Sequence, residues 1–138
     1  MTELLSHPAA RIAALVLIAA LVAFVAIGWP RSAAGAGLTT VNVRDLHAAV
    51  ADGALVLDVR EPYEFEEGHV AGSVLVPLAT VGARAGEFDR HAPVYVFCRS
   101  GNRSFVAAQT LVDAGHTDVR NVDGGMIAWA SAGLPIAR

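Results

Sequence analysis

Lysine is absent from this 138-residue chain, and all ten basic residues are arginines. They form no basic tract of the kind that neutralises a phosphate backbone, so nucleic acid is not an expected partner. From Leu38 onward eight arginines stand against twelve Asp and Glu residues, a net of minus four, so any positive field must be local. Cysteine is nearly absent too. With Cys98 alone no internal disulfide can form, and His47, His69, His91 and His116 have no metal-ligand spacing, so neither a metal nor another cofactor is expected. Long apolar runs are confined to one place. Of the 18 residues from Ile12 to Trp29, 17 are hydrophobic, and the other 120 residues hold 58, an ordinary soluble share. Polytopic transporters, coiled coils and disordered chains are thereby excluded; what is left is one greasy segment ahead of one globular domain.

No charged residue falls between Arg11 and Arg31, and those 19 residues, rising ~1.5 Å each as a helix, nearly cross the ~30 Å hydrocarbon layer. The reading is a tail over residues 1–11 and one transmembrane anchor over residues 12–30, with the bilayer as partner and Trp29 as an interfacial aromatic. A cleaved signal peptide competes with it, since small residues fill Ser32 to Gly37 after Pro30; against that, the apolar core exceeds the usual length of about 7 to 15 residues. Arg31 and Arg44 outweigh Arg11, itself partly offset by Glu3, which leans the domain toward the cytoplasm. A periplasmic domain, or a secreted one after cleavage, stays open. Residues 31–37 read as a flexible tether, and residues 38–138 as the domain.

Within that domain strands and helices alternate, without internal repeats. Thr40–Val43 reads as a strand, Arg44–Asp52 as a helix, and the run Ala54–Val59 as a strand covered on both faces. Ser73–Val76 and Val94–Phe97 are further strands; Ser104–Ala114 is a helix with Phe105, Ala108, Leu111 and Val112 inward; Asp118–Val122 and Met126–Ala132 are the last strand and helix, with Trp129 packed inside. The pattern predicts an α/β fold: a mostly parallel sheet with helices on both faces.

The only thiol stands where a buried strand leaves such a sheet, the edge at which open α/β sheets bind ligands. Arg99, Ser100, Gly101, Asn102 and Arg103 form a turn that can aim backbone N–H groups inward, at the positive end of a helix dipole, with Ser104 as its cap. A free thiol titrates near about 8.5, and each unit of downward shift is worth ~1.4 kcal/mol. A helix terminus supplies ~0.3–1 kcal/mol, so dipole and arginines together can ionise much of the thiol at neutrality. Phosphatase cradles place arginine six positions after the nucleophile. Here it falls five positions on, with serine at 104, and the tighter ring suits a thiolate carrying one extra sulfur atom.

Several segments together, Leu57–Glu61, Tyr63–Phe65, Gly68–Ser73, Cys98–Arg103, Gly124–Gly125 and Trp129, make Thr40 to Ala137 resemble the rhodanese family. The resemblance implies a single-domain sulfurtransferase in which Cys98 takes the outer sulfur of thiosulfate or a persulfide, then passes it to cyanide, a thiol or a protein acceptor. It implies no cofactor. With the anchor, the chain looks like small single-pass rhodaneses of bacterial inner membranes. Arg99 and Arg103 are expected to draw in the anionic donor, with ion pairing to Asp58 or Glu64 as the competing role. Asp58 and Arg60 are expected to brace the loop, His69 to be a satisfied structural residue, and Glu64, Glu66 and Glu67 to lie on a solvated helix face. A tethered adaptor on the same fold, needing no thiol chemistry, is the alternative function.

Overall fold

The computed structural model describes residues 37–138. The tail, the anchor at 12–30 and the tether as far as residue 36 lie outside the described residues. Among the described residues no helix is long and apolar enough to cross a membrane. In chain order the elements are β1 (Gly37–Val41), α1 (Val43–Ala51), β2 (Leu55–Asp58), α2 (Pro62–Glu67), β3 (Val74–Leu75), α3 (Val81–Arg84), β4 (Val94–Phe97), α4 (Asn102–Asp113), β5 (Asp118–Val122) and α5 (Gly125–Ser131). Short 3-10 turns at Leu78–Thr80 and Ala85–Glu87 flank α3.

The five strands make one sheet in the order β1-β5-β4-β2-β3, and every neighbouring pair is parallel. Side chains of a strand alternate between faces, and the core divides accordingly. On one face Leu57, Val94, Val96 and Cys98 pack with Ala107, Ala108 and Leu111 of α4 and with Val81 and Ala85. On the other, Val56, Tyr95 and Phe97 pack with Val43 and Leu46 of α1 and Trp129 of α5. Burial on both faces is why β2 and β4 read as unbroken apolar runs.

Of the boundaries that differ from the sequence reading, among them a first strand that begins at Gly37 rather than Thr40, two have plain local reasons. The first strand ends at Val41 because Asn42 caps α1: its Oδ1 accepts from the N–H groups of Arg44 and Asp45 at 2.8 and 3.1 Å, while Asp45 accepts from the Asn42 N–H at 3.1 Å. This reciprocal box draws Val43 into the helix. The helix after Cys98 starts at Asn102, capped by Gly101 rather than Ser104. Its buried stripe is Ser104, Ala107, Ala108 and Leu111, so Phe105, one step round the helix, is half exposed instead of inward.

Trp129 is 2% exposed, stands edge-on to Phe97 and donates its indole N–H to Pro135 O at 2.9 Å. Trp129→Ala is expected to cost about 3–5 kcal/mol, read as a lowered urea midpoint with an unchanged slope.

Candidate active site

β4 is a central strand, and the chain turns out of the sheet directly after it. Cys98 is 1% exposed at that exit, and the Gly101 N–H donates to its Sγ at 3.1 Å. Gly101 has φ +101°, and a Cβ there would press within 3.3 Å of Gly124 N, so the turn requires glycine. The loop is also held from below. The first N–H groups of α5, on Met126 and Ile127, donate to Cys98 O at 2.8 Å and Arg99 O at 3.1 Å. That approach is so close that a Cβ on Gly125 would overlap Cys98 O and the Arg99 carbonyl.

Burial pushes the Cys98 thiol up, since a desolvated thiolate is costly. The Ser104 hydroxyl and the backbone N–H groups of Ser104, Ser100 and Gly101 outweigh it, and the thiol titrates below its ordinary range. Of these donors the backbone amides are the firmer. The Ser104 hydroxyl has one proton, and its shortest contact, 2.6 Å, is to Asn121 Oδ1, with Gly101 O at 3.0 Å.

The two arginines of the loop meet different surroundings. Arg103 forms a two-pronged pair with Glu64 of α2, at 2.7 and 2.8 Å. Hydrogen bonding to Arg103 pulls the Glu64 carboxyl down to about 2, against the opposing effect of its partial burial, and Glu64 in turn raises Arg103. Glu64 therefore leaves the solvated face assigned to it; its side chain is 12% exposed. Arg99 is exposed and, among the described residues, makes no ion pair. It lines an open cleft of about 280 Å³ with Arg60, Glu64, Glu67, Met126, Ile127 and Ala130. Ser100 and Asn102 have exposed side chains and contribute to the turn through backbone.

Asp58 ends β2 and holds Arg60 by three side-chain contacts of 2.7 to 3.1 Å, both residues buried. The rest of the Arg60 guanidinium donates to Glu64 O at 3.0 Å and Gly68 O at 2.8 Å, tying the middle and the C-terminal cap of α2 to the end of β2. The carboxylate that holds Arg103 is thus itself positioned by the Asp58–Arg60 pair. His69 stacks on Phe65 with centroids 3.8 Å apart and bonds Phe65 O through Nδ1 at 3.0 Å. Among the described residues no cluster of His, Cys, Asp and Glu could hold a metal ion.

Sequence reasoning placed Cys98 and its loop together, and Asp58 and Arg60 beside each other. Of the two acidic partners it offered for the loop arginines the structure selects Glu64, for Arg103; it missed Gly125 as the floor of the loop and Asn121 as the partner of Ser104. The signals were a Gly-Gly pair opening a helix and one amide residue in an otherwise inward-facing strand position.

Gly125→Ala is expected to cut thiol reactivity more than tenfold, measured by alkylation rate, because the loop must lift off α5. Glu64 is depressed from 4.5 to about 2, so its contribution to stability is full above pH 4.5 and is lost as pH falls toward 2. Glu64→Gln should flatten that acid limb in denaturant titrations at stepped pH. Asp58→Ala, leaving a buried arginine unpaired, should cost about 3–5 kcal/mol by the same measurement.

The sequence matches the family model of the rhodanese-like domain over residues 42–132. Among curated relatives, an uncharacterised Bacillus subtilis protein is 43% identical over 76 residues, which span 55% of this chain and 60% of that one. A protein named sulfurtransferase from Allochromatium vinosum is 38% identical over 82 residues, 59% of this chain and 77% of that one. Thiosulfate sulfurtransferase 16, chloroplastic, of Arabidopsis thaliana is 36% identical over 109 residues, covering 70% of this chain and 91% of the relative. Among solved structures, a rhodanese-related protein from Thermoplasma volcanium superposes with a TM-score of 0.65 at 33% identity, over 71% of this chain and 96% of that one. With its parallel sheet, its cysteine at the exit of β4 and its glycine-floored loop, the chain belongs to the rhodanese-like domain family.

Proposed function

We propose that the chain is a thiosulfate or persulfide sulfurtransferase working through a Cys98 persulfide. The observation that carries this reading is the buried Cys98 sulfur, bonded by the Gly101 N–H in a loop whose donors favour the thiolate. In the first displacement the Cys98 thiolate attacks the outer sulfur of thiosulfate. The sulfur–sulfur bond breaks, sulfite leaves with the electron pair, and Cys98 holds one extra sulfur as an anionic persulfide. In the second, cyanide or a thiolate acceptor attacks that outer sulfur and the Cys98 thiolate returns. No redox partner is needed, because each step exchanges one bond to sulfur for another.

The loop's N–H groups serve both stages, since thiolate and persulfide are each anionic and sit in the same ring. Arg99, exposed beside the cleft, is the guanidinium that draws in an anionic donor. Arg103, held by Glu64, shares its charge with that carboxylate and contributes less. Asp58 and Arg60 act as the brace that keeps Glu64 in place. A small thiol, cyanide or a protein can serve as acceptor. A curated relative in Bacillus subtilis is named a putative sulfur carrier protein, 43% identical over 74 residues.

The N-terminal run adds a membrane to this reading. Residues 12–30 form a single-pass anchor in a bacterial inner membrane and hold the domain near its cytoplasmic face. The support is the uncharged stretch from Arg11 to Arg31 and the arginine balance on its two sides.

The purified full chain should move sulfur from thiosulfate to cyanide, and thiosulfate treatment should add one sulfur atom to the peptide containing Cys98. Cys98→Ser should abolish both. Equal transfer by the variant would leave the thiol idle and favour a tethered adaptor.

A further inference from the structure

Asn121 is a buried amide in β5, whose other buried residues, Val119 and Val122, are apolar. An unpaired amide at such a position would cost stability, and its Oδ1 is paired, 2.6 Å from Ser104 Oγ. Ser104 is itself wholly buried in the first turn of α4. Its hydroxyl also faces Gly101 O at 3.0 Å, beside the Gly101 N–H that bonds the Cys98 sulfur, and hydrogen bonding from it favours the thiolate. One proton thus stands among three acceptors. A serine that donates to sulfur stabilises the thiolate; a serine whose proton is drawn elsewhere presents only lone pairs to it.

We propose that Asn121 is a positioning residue that sets the reactivity of Cys98 by withholding the Ser104 proton from the sulfur. The shortest of the hydroxyl's oxygen contacts is the one to Asn121, so the proton rests there while the sulfur is protonated. When Cys98 ionises, the hydroxyl can rotate toward the thiolate, and the two states differ by one hydrogen bond exchanged within the core. Such restraint has a use in sulfur exchange. A thiol whose ionisation is driven too low loses nucleophilicity, and attack is fastest when its midpoint lies near ambient pH. The inference rests on the reading of Cys98 as the sulfur-carrying nucleophile.

The charged groups of the elements packed round the loop are Arg99 and Arg103 on its own segment, Glu64 on α2, Asp58 and Arg60 at the end of β2, and Asp123 at the end of β5. They are common to all the variants below and cancel in the comparison.

The test is the ionisation of Cys98 in the full chain, followed by thiolate absorbance and by alkylation rate across pH. Asn121→Leu, near in shape but unable to accept, should lower the midpoint by about half a unit, because the serine proton is released to the loop. Asn121→Asp, a stronger acceptor that also adds charge, should raise it by about one unit, a tenfold loss of thiolate on the acid side. In a Ser104→Ala background Asn121→Leu should leave the midpoint where it is. A rise or no change on Asn121→Leu, or the same shift with and without Ser104, overturns the proposal. A measurement without mutation guards against a misfolded variant. The side-chain amide resonances of Asn121 in the unaltered chain should titrate with the Cys98 midpoint, and a flat response overturns it equally. Retained sulfur transfer in Cys98→Ser would remove the functional reading yet leave this titration result standing, so the two failures are distinguishable.

Discussion

The structure depends on backbone amides closing round a single sulfur. Gly101 donates to Cys98 Sγ, while the first amides of α5 grip the carbonyls of Cys98 and Arg99 from the opposite side. A buried thiol gains nothing from its surroundings by proximity alone, since desolvation favours the neutral form. It becomes reactive only where donors are fixed in advance and need no reorganisation when charge develops. Here they are fixed by packing: the turn is tight because Gly101 and Gly125 let the Cys98–Gly101 loop touch the Asp123–Gly125 turn.

Charge plays a second, outer part. The buried Asp58–Arg60 pair spends its remaining donors on the carbonyls of Glu64 and Gly68, and so anchors the short helix whose carboxylate holds Arg103. The line of contacts runs from the end of β2 through α2 to the first turn of α4, around the mouth of the loop. It leaves the two loop arginines unequal, one committed to a carboxylate and one facing an open cleft. Two guanidinium groups that look equivalent in the sequence therefore have different freedom to meet an anion.

β2 and β4 were legible as short apolar runs bounded by turn residues, and β4 and β5 lie where the pattern puts them. Legible too was the thiol at a strand exit followed by glycine and arginine, since local spacing alone brings Cys98 and Gly101 together. The edges blurred where side chains cap backbone: Asn42 moves Val43 from strand to helix, and Gly101 starts α4 ahead of Ser104. Phe105 shows the limit of periodicity, because small Ser104 and Ala107 take the inward stripe and leave the larger apolar side chain one step round the helix. Asn121 was hidden for another reason: it lies 17 residues from Ser104, and only the closed sheet brings the two together. Glu64, 39 residues from Arg103, was one of two acidic candidates, and only the fold chooses it over Asp58.

The loop's donors pull the titration of Cys98 below its ordinary range despite its burial. The most direct measurement is the pH dependence of alkylation of the single thiol in the folded full chain, with the denatured chain as reference. The folded midpoint should lie below that of the denatured thiol, which titrates near about 8.5. A folded midpoint equal to or above the denatured one would contradict it, for burial would then have outweighed every donor in the loop.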